Sequence, residues 1–318
     1  MSSDLVSIET MPLTRFSKNP ILKPSNIWWE RNAVYNPGVA VYQNKITLLY
    51  RAQGPEWVSR FGLAQSKDGF NFKKVSEFPV MEPEINEPFE RLGVEDPRII
   101  KMGESFLITY TAASLYPARM ARKGAESLFK EGVPWRIRIG LAETKDFNTF
   151  EKLGFLLDDL DAKDSVLFPE KIENQYVLIT RSNPNMVISY SPNLVTWTQP
   201  EFMAGPRFGM WDGLKIGAGS TPIRTKDGWL LFYHGVNDKK IYHLGALLLD
   251  LNNPKIILYR SKKPLLIPEK PYEKKGLTPN IVFTCGAIEW DDQYFIYYGG
   301  ADRVICVATC HKDLNGIF

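Results

Sequence analysis

Cysteine and histidine are both scarce in this sequence, with three of each among 318 residues. Cys285, Cys306 and Cys310 cannot build a disulfide framework, which excludes the small stapled folds of secreted proteins. Cys306, Cys310 and His311 lie in an apolar strand-like run without a fourth clustered ligand, so their spacing does not make a zinc site. A charge excess of one sign is lacking as well. The formal net charge of +3 leaves no footprint for nucleic acid or a membrane surface. No apolar run approaches the length of a membrane span. Met1-Ser2-Ser3-Asp4-Leu5 has neither the basic nor the apolar region of a signal peptide, so the expected compartment is the cytoplasm. Helical patterning is sparse and strongest over 120–130, inside an insertion spanning 116–133 that reads as a rim segment or a homo-oligomer contact.

What the chain does have is apolar and aromatic content, 44% and 13%, enough for a sizeable core. It is arranged in five copies of one pattern. Each copy opens on a small or apolar run: Asn36-Pro37-Gly38-Val39-Ala40, Asp96-Pro97-Arg98-Ile99-Ile100, Ser165-Val166-Leu167-Phe168, Gly219-Ser220-Thr221-Pro222-Ile223 and Thr284-Cys285-Gly286-Ala287-Ile288. A short polar turn follows, for example Gln43-Asn44-Lys45 or Asp291-Asp292-Gln293, which is a hairpin signal. Next comes a β-branched and aromatic run such as Ile46-Thr47-Leu48-Leu49-Tyr50 or Tyr294-Phe295-Ile296-Tyr297-Tyr298. A third run closes several copies and leads into Asp-plus-aromatic punctuation, as in Ser66-Lys67-Asp68-Gly69-Phe70 and Thr144-Lys145-Asp146-Phe147. Units of roughly 50–60 residues with three or four strands each mark a propeller. The predicted fold is all-β, a five-bladed β-propeller with a short helical insertion in blade two. Residues 1–318 form a single catalytic domain in this reading, and those before Asn32 supply the strand that closes the ring.

The stretch Gly93-Val94-Glu95-Asp96-Pro97-Arg98-Ile99-Ile100 stands out, because a carboxylate precedes a proline at the mouth of an apolar run. Pro97 pushes Asp96 toward an extended conformation and suits the first residue of a strand. An isolated Asp-Pro usually anchors a turn; repetition gives this one weight. First strands of a propeller line its channel, so equivalent positions from five blades converge. Asn36, Asp96, Asp164 with Lys171, Ser220 with Thr221, and Cys285 fall there, joined by Arg51, Arg181, His234 and Asp302 from second-strand ends and by Arg60. Like charges buried together are costly, so either carboxylates neutralise them as ordinary blade-to-blade ion pairs or an anionic ligand does. Asp96, Asp164, Glu170, Asp212 and Asp302 are the available partners. Trp28, Trp29, Trp57, Trp211, Tyr242 and Phe283 add aromatic faces of the kind on which sugars stack.

Assembled in this way, the chain resembles glycoside hydrolase family 130, the β-mannoside phosphorylases and related β-mannosidases. Seven pieces carry the resemblance in order: Val34-Tyr35-Asn36-Pro37-Gly38, Leu49-Tyr50-Arg51-Ala52, Gly93-Val94-Glu95-Asp96-Pro97-Arg98, Val166-Leu167-Phe168-Pro169-Glu170-Lys171, Ile216-Gly217-Ala218-Gly219, Phe232-Tyr233-His234-Gly235-Val236 and Pro279-Asn280-Ile281-Val282-Phe283. The resemblance implies that Asp96 is the general acid and that inorganic phosphate displaces the departing sugar with inversion, giving α-mannose 1-phosphate. It places Arg51, Arg60, Lys171, Arg181 and His234 at the phosphate pocket. Asn36, Asp164, Tyr242 and Asp302 become sugar-site residues. An inverting hydrolase needs a second carboxylate to activate water, whereas a phosphorylase needs cations to hold its anionic nucleophile. No metal or organic cofactor is implied beyond phosphate as co-substrate. The Glu-Asp-Pro-Arg version favours β-1,2-linked substrates. An inverting β-mannosidase and a non-catalytic glycan-binding propeller are the alternatives.

Overall fold

A computed structural model of the chain describes residues 13–117, 134–157 and 160–312. Strand β1 (Thr14–Arg15) precedes the blades. Blade one holds β2 (Ala33–Tyr42), β3 (Lys45–Gln53), β4 (Ser59–Ser66) and β5 (Lys73–Lys74). Blade two holds β6 (Gly93–Met102), β7 (Ser105–Leu115), β8 (Trp135–Thr144) and β9 (Glu151–Leu156). Blade three holds β10 (Lys163–Leu167), β11 (Tyr176–Ser182), β12 (Asn185–Ser191) and β13 (Glu201–Ala204). Blade four holds β14 (Lys215–Ala218), β15 (Ile223–Arg224), β16 (Trp229–Val236), β17 (Tyr242–Leu249) and β18 (Ile257–Arg260). Blade five holds β19 (Val282–Trp290), β20 (Gln293–Gly300) and β21 (Val304–His311).

Every blade is an antiparallel meander, and blades one and two are joined by one parallel bridge, Ser59 to Gly93. The outer strand of blade five comes from the other end of the chain: Thr14 pairs with Thr309 and Arg15 with Ala308. A hydrophobic cluster lies between each pair of neighbouring blades, including blades five and one, and a smaller one of Ile281, Phe283 and Cys285 packs against Tyr242. Alternation along each second strand explains them. Ile46, Leu48 and Tyr50 of β3 pack toward blade five, whereas Leu49 packs toward blade two. Burial on both faces is why these strands read as continuous apolar runs. The protein is a five-bladed β-propeller.

Two repeats lock the blades. In the first, Ser66 Oγ accepts the backbone N–H groups of Asp68 and Gly69 while Asp68 Oδ1 accepts those of Phe70 and Asn71. Thr144 with Asp146, and Ser191 with Asn193, repeat the arrangement in blades two and three. The punctuation in the sequence is thus a self-bonded turn. In the second, a tyrosine on the second strand lies across from a glycine on the third in blades one, two and four, and from Cys306 in blade five. A Cβ at Gly62 or Gly140 would come within 2.3 or 2.1 Å of the Tyr50 or Tyr110 ring. Each tyrosine hydroxyl donates to a wholly buried carboxylate: Tyr50 to Glu30 at 3.0 Å, Tyr110 to Glu90 at 2.7 Å, Tyr233 to Asp212 at 2.8 Å and Tyr298 to Glu273 at 2.8 Å. A cation from the outermost strand completes each group, namely Lys74, Lys152, Arg260 and Arg15.

Helix is scarce, as expected. Among the described residues it amounts to the 3-10 turn Trp28–Glu30 and the one-turn helix Pro271–Lys274. The helix predicted over 120–130 lies outside the described residues. No described helix is long and apolar enough to cross a membrane.

Candidate active site

The inner strands do not run straight past the axis. In blade one the register skips between Tyr35 and Gly38, in blade two between Glu95 and Arg98, and in blade three between Lys163 and Val166. Two inner-strand residues therefore face one on the second strand, which is a β-bulge. The first residue of each bulge is Asn36, Asp96 or Asp164, with φ of 46°, 52° and 56°. Asn and Asp enter this left-handed region more readily than other non-glycine residues. Here the structure corrects the sequence reading. Asp96 is left-handed rather than extended, and Pro97 lies mid-strand, where the bulge leaves no ladder bond for its missing N–H to break.

The bulges aim three polar side chains at one space. Asp96 Oδ1 accepts from Asn36 Nδ2 at 2.9 Å and from the Arg51 guanidinium at 3.1 Å. Arg51 also binds Glu95 at 2.6 Å and Ser59 Oγ at 2.9 Å. Burial alone would push the Asp96 carboxyl up; Arg51, Lys163, Arg98 and the Asn36 bond outweigh it and hold the group below the ordinary aspartate value. Arg98 is 1% exposed and ties three blades together. Its guanidinium donates to the carbonyls of Asp96 (2.9 Å), Gly219 (2.9 Å) and Ala218 (3.2 Å) and reaches Asp164 at 3.4 Å.

Asp164 also pairs with Arg181 at 2.8 Å and lies 3.5 Å from His234 Nε2. Gly217 permits that approach, because a Cβ there would meet the His234 ring at 2.5 Å and Asp164 Oδ2 at 2.7 Å. Burial again opposes ionisation of Asp164, and Arg181, His234, Arg98 and Lys163 overcome it, holding the group well below the usual range. His234 is wholly buried, and burial, with Arg181, Arg98 and Lys215 nearby, pushes it down to about 3 against the pull of Asp164. It is therefore neutral at pH 7, contrary to its expected place among the cations. Nε2 lies between Arg181 Nη1 at 3.4 Å and Asp164 Oδ2 at 3.5 Å, an acceptor for the first or a donor to the second according to the tautomer. Nδ1 is buried without a partner, as are Asn36 Oδ1 and Ser220 Oγ. Tyr242 stacks on His234, with ring centroids 5.8 Å apart.

Asp302 sits in the turn between β20 and β21 with φ of 52°. Burial raises its carboxyl against a Thr278 hydrogen bond and Arg51, and Asp96 adds to the rise. Lys163 acts on Asp96, Asp164 and Asp302 together, yet carries no ion pair among the described residues. Four cations (Arg51, Arg98, Lys163, Arg181) thus share one axial space with Glu95, Asp96, Asp164 and Asp302. No group of His, Cys, Asp and Glu among the described residues is arranged to hold a metal.

A sequence model of glycoside hydrolase family 130, described as beta-1,4-mannooligosaccharide phosphorylase, matches residues 9–315. The chain belongs to this family. A 1,2-beta-oligomannan phosphorylase of Thermoanaerobacter sp. (strain X514) is 40% identical over 95% of this chain and 99% of its own. A beta-1,2-mannobiose phosphorylase of Listeria innocua is 35% identical, covering 96% of this chain and 98% of its own. A solved structure of beta-1,2-mannobiose phosphorylase from Listeria innocua, in complex with beta-1,2-mannobiose, superposes with a TM-score of 0.79 at 27% identity. It covers 95% of this chain and 97% of that one.

Two site residues expected of this family 130 chain lie elsewhere. Lys171 is exposed near the turn of the β10–β11 hairpin, beside the Ile172–Gln175 bridge, whereas the axial end of that hairpin pairs Lys163 with Arg181. Its amine contacts the Pro192 carbonyl at 3.3 Å and lies over the Tyr176 ring. Arg60 follows Ser59, so strand alternation turns it away from Arg51. It binds Glu56 and, at 3.2 Å, Glu82, and lies 4.7 Å over the Trp28 ring. Asp212 belongs to the outer Tyr233–Arg260 group rather than to the axis. The residues missed were Lys163, Arg98 and Glu95. Shifting the comparison of the openings back by one residue aligns Tyr35, Glu95 and Lys163, each paired with the second strand just ahead of its bulge.

Proposed function

We propose that the chain is an inverting β-mannoside phosphorylase acting on short β-1,2-linked mannooligosaccharides. The observation that carries this reading is Lys163, a cation without an ion pair among the described residues, facing the one carboxylate that also takes Asn36 and Arg51. A proton donor beside a cation with unfilled capacity suits an anionic nucleophile better than water. The 40% and 35% identical relatives, both named for β-1,2-linked mannosides, support the linkage.

In the proposed reaction Asp96 gives its proton to the glycosidic oxygen as the bond to the anomeric carbon breaks. Phosphate, held by Lys163, Arg51 and Arg181 and by the neutral His234 ring, forms the new bond from the opposite face. The products are α-mannose 1-phosphate and a shortened mannoside. Asn36, Asp164, Tyr242 and Asp302 hold the sugar in this reading. Asp96 is held ionised by its cationic neighbours, so it must gain a proton before it can donate one. Phosphate supplies the means: its charge offsets Lys163 and Arg51 and raises the affinity of Asp96 for a proton. We place this single catalytic propeller in the cytoplasm, in keeping with three buried free cysteines.

The test is product analysis with β-1,2-mannobiose. Mannose 1-phosphate should form only when phosphate is supplied. Free mannose released at the same rate without phosphate would instead make the enzyme a hydrolase.

A further inference from the structure

Trp28 and Trp57 are 55% and 54% exposed, while Trp29 is buried. Trp57 lies in the loop joining β3 to β4, and its backbone is held there: the main-chain N–H donates to the Gly54 carbonyl at 3.1 Å and the main-chain carbonyl accepts from Gln53 Nε2 at 3.3 Å. Gln53 Nε2 also reaches Ser59 Oγ, which accepts from Arg51, so the loop shares the support that holds Arg51 against Asp96. Trp28 carries the Arg60 guanidinium on one face, and Arg60 is fixed by Glu56 and Glu82 and by the Val58 carbonyl at 3.3 Å. Phosphate binding does not use Arg60, and core packing does not use these two rings.

We propose that Trp57 and Trp28, braced by Arg60, form a subsite for the sugar units of a β-mannooligosaccharide beyond the bond being cleaved, on the leaving-group side. The inference rests on the proposed phosphorolysis for its substrate. A general acid must lie within hydrogen-bond reach of the oxygen it protonates, so the departing sugars lie on the Asp96 side. The β3–β4 loop is the rim next to Asp96, because Ser59 bridges Gly93 three residues before it. The loop follows directly on the strand that carries Arg51, with Gly54 three and Trp57 six residues beyond it. Isolated aromatic faces set among charged hydrogen-bonding groups suit a sugar; a protein partner calls for a contiguous apolar patch.

The experiment compares kcat/KM for β-1,2-mannotetraose and β-1,2-mannobiose at saturating phosphate. Trp57→Ala should lower the value for the tetrasaccharide roughly tenfold more than that for the disaccharide, through KM, and Trp57→Phe should restore most of it. Trp28→Ala should act in the same direction. Equal losses on both substrates, or no length-dependent loss in either variant, would overturn the subsite. If the wild-type enzyme releases mannose without phosphate, phosphorolysis fails, but the same length ratio can be read from free mannose. The two readings therefore fail separately.

Discussion

Glu30, Glu90, Asp212 and Glu273 are buried as fully as Asp96 and Asp164, yet the two sets are held in different ways. Each outer carboxylate takes a tyrosine hydroxyl and a cation from its blade's outermost strand, and Glu273 adds the backbone N–H groups of Glu269 and Lys270. None of these carboxylates keeps an unpartnered oxygen. At the axis the bonding is unfinished: Asn36 Oδ1, His234 Nδ1 and Ser220 Oγ have no partner, and Asp164 Oδ2 has an ion pair but no well-directed hydrogen bond. Asn36, Asp96, Asp164 and Asp302 also sit in left-handed backbone. Strained backbone of this kind clusters at ligand-binding positions. The outer set fastens blades one, two, four and five to their last strands, whereas the axial set turns its polar atoms toward one another across blades.

The sharpest way to break this contrast is to exchange the phenotypes of the two sets. Asp96→Asn should lower kcat by about a thousandfold, the upper part of the range for a general acid, while the protein stays folded by circular dichroism. Glu273→Ala should do the reverse. Arg15 and Tyr298 lose a wholly buried partner, which costs about 3 kcal/mol, read as a fall in the denaturation midpoint, with kcat per folded molecule retained. An outer variant that lost activity without losing stability would remove the distinction.

The same contrast separates two lysines. Lys163→Ala should raise the phosphate KM by about 10- to 100-fold, the worth of a charge-assisted hydrogen bond. Lys171→Ala should leave it unchanged, because that side chain lies at the other end of the hairpin. A normal phosphate dependence in Lys163→Ala would move the nucleophile site elsewhere.

The propeller itself was legible in the sequence because each blade repeats a hairpin whose second strand is apolar on both faces. Ring closure followed from the residues left over before Asn32, and β1 pairs with β21 as that required. Asn36, Asp96 and Asp164 were legible as convergent positions, because the repeat puts them in one column. Which residues next to that column turn inward was not legible. A bulge inserts one residue and so reverses the alternation that a straight strand would obey. Lys163 is hidden in this way; Lys171 comes instead from the motif that carries the resemblance, beyond the end of the inner strand, and Asp96 reads as extended because Pro97 follows it. The Tyr–carboxylate–cation groups were also missed. Their acids stand 20, 20, 21 and 25 residues before the tyrosines, a spacing that shows only once the four tyrosines are set side by side.

The smallest expected effect tests the axis from the side of stability. Asp164, held well below the usual range, contributes stability that is present above the ordinary aspartate value and is lost as pH falls through its folded one. Asp302 has the opposite sign. Burial raises its folded value, so its contribution is full below the ordinary aspartate value and is lost as pH rises through the folded one. At pH 7 the Asp302 charge is therefore a burden on the folded protein. Asp302→Asn removes it and should raise the melting temperature by about 2 °C at pH 7, with the gain vanishing near pH 3.5, where the wild-type carboxyl keeps its proton. The same variant should raise the KM for mannobiose, because Asp302 serves the sugar in the proposed reaction. A lower melting temperature at pH 7 would mean that Asp302 is held as firmly as Glu273, and the axis would differ from the outer ring only in position.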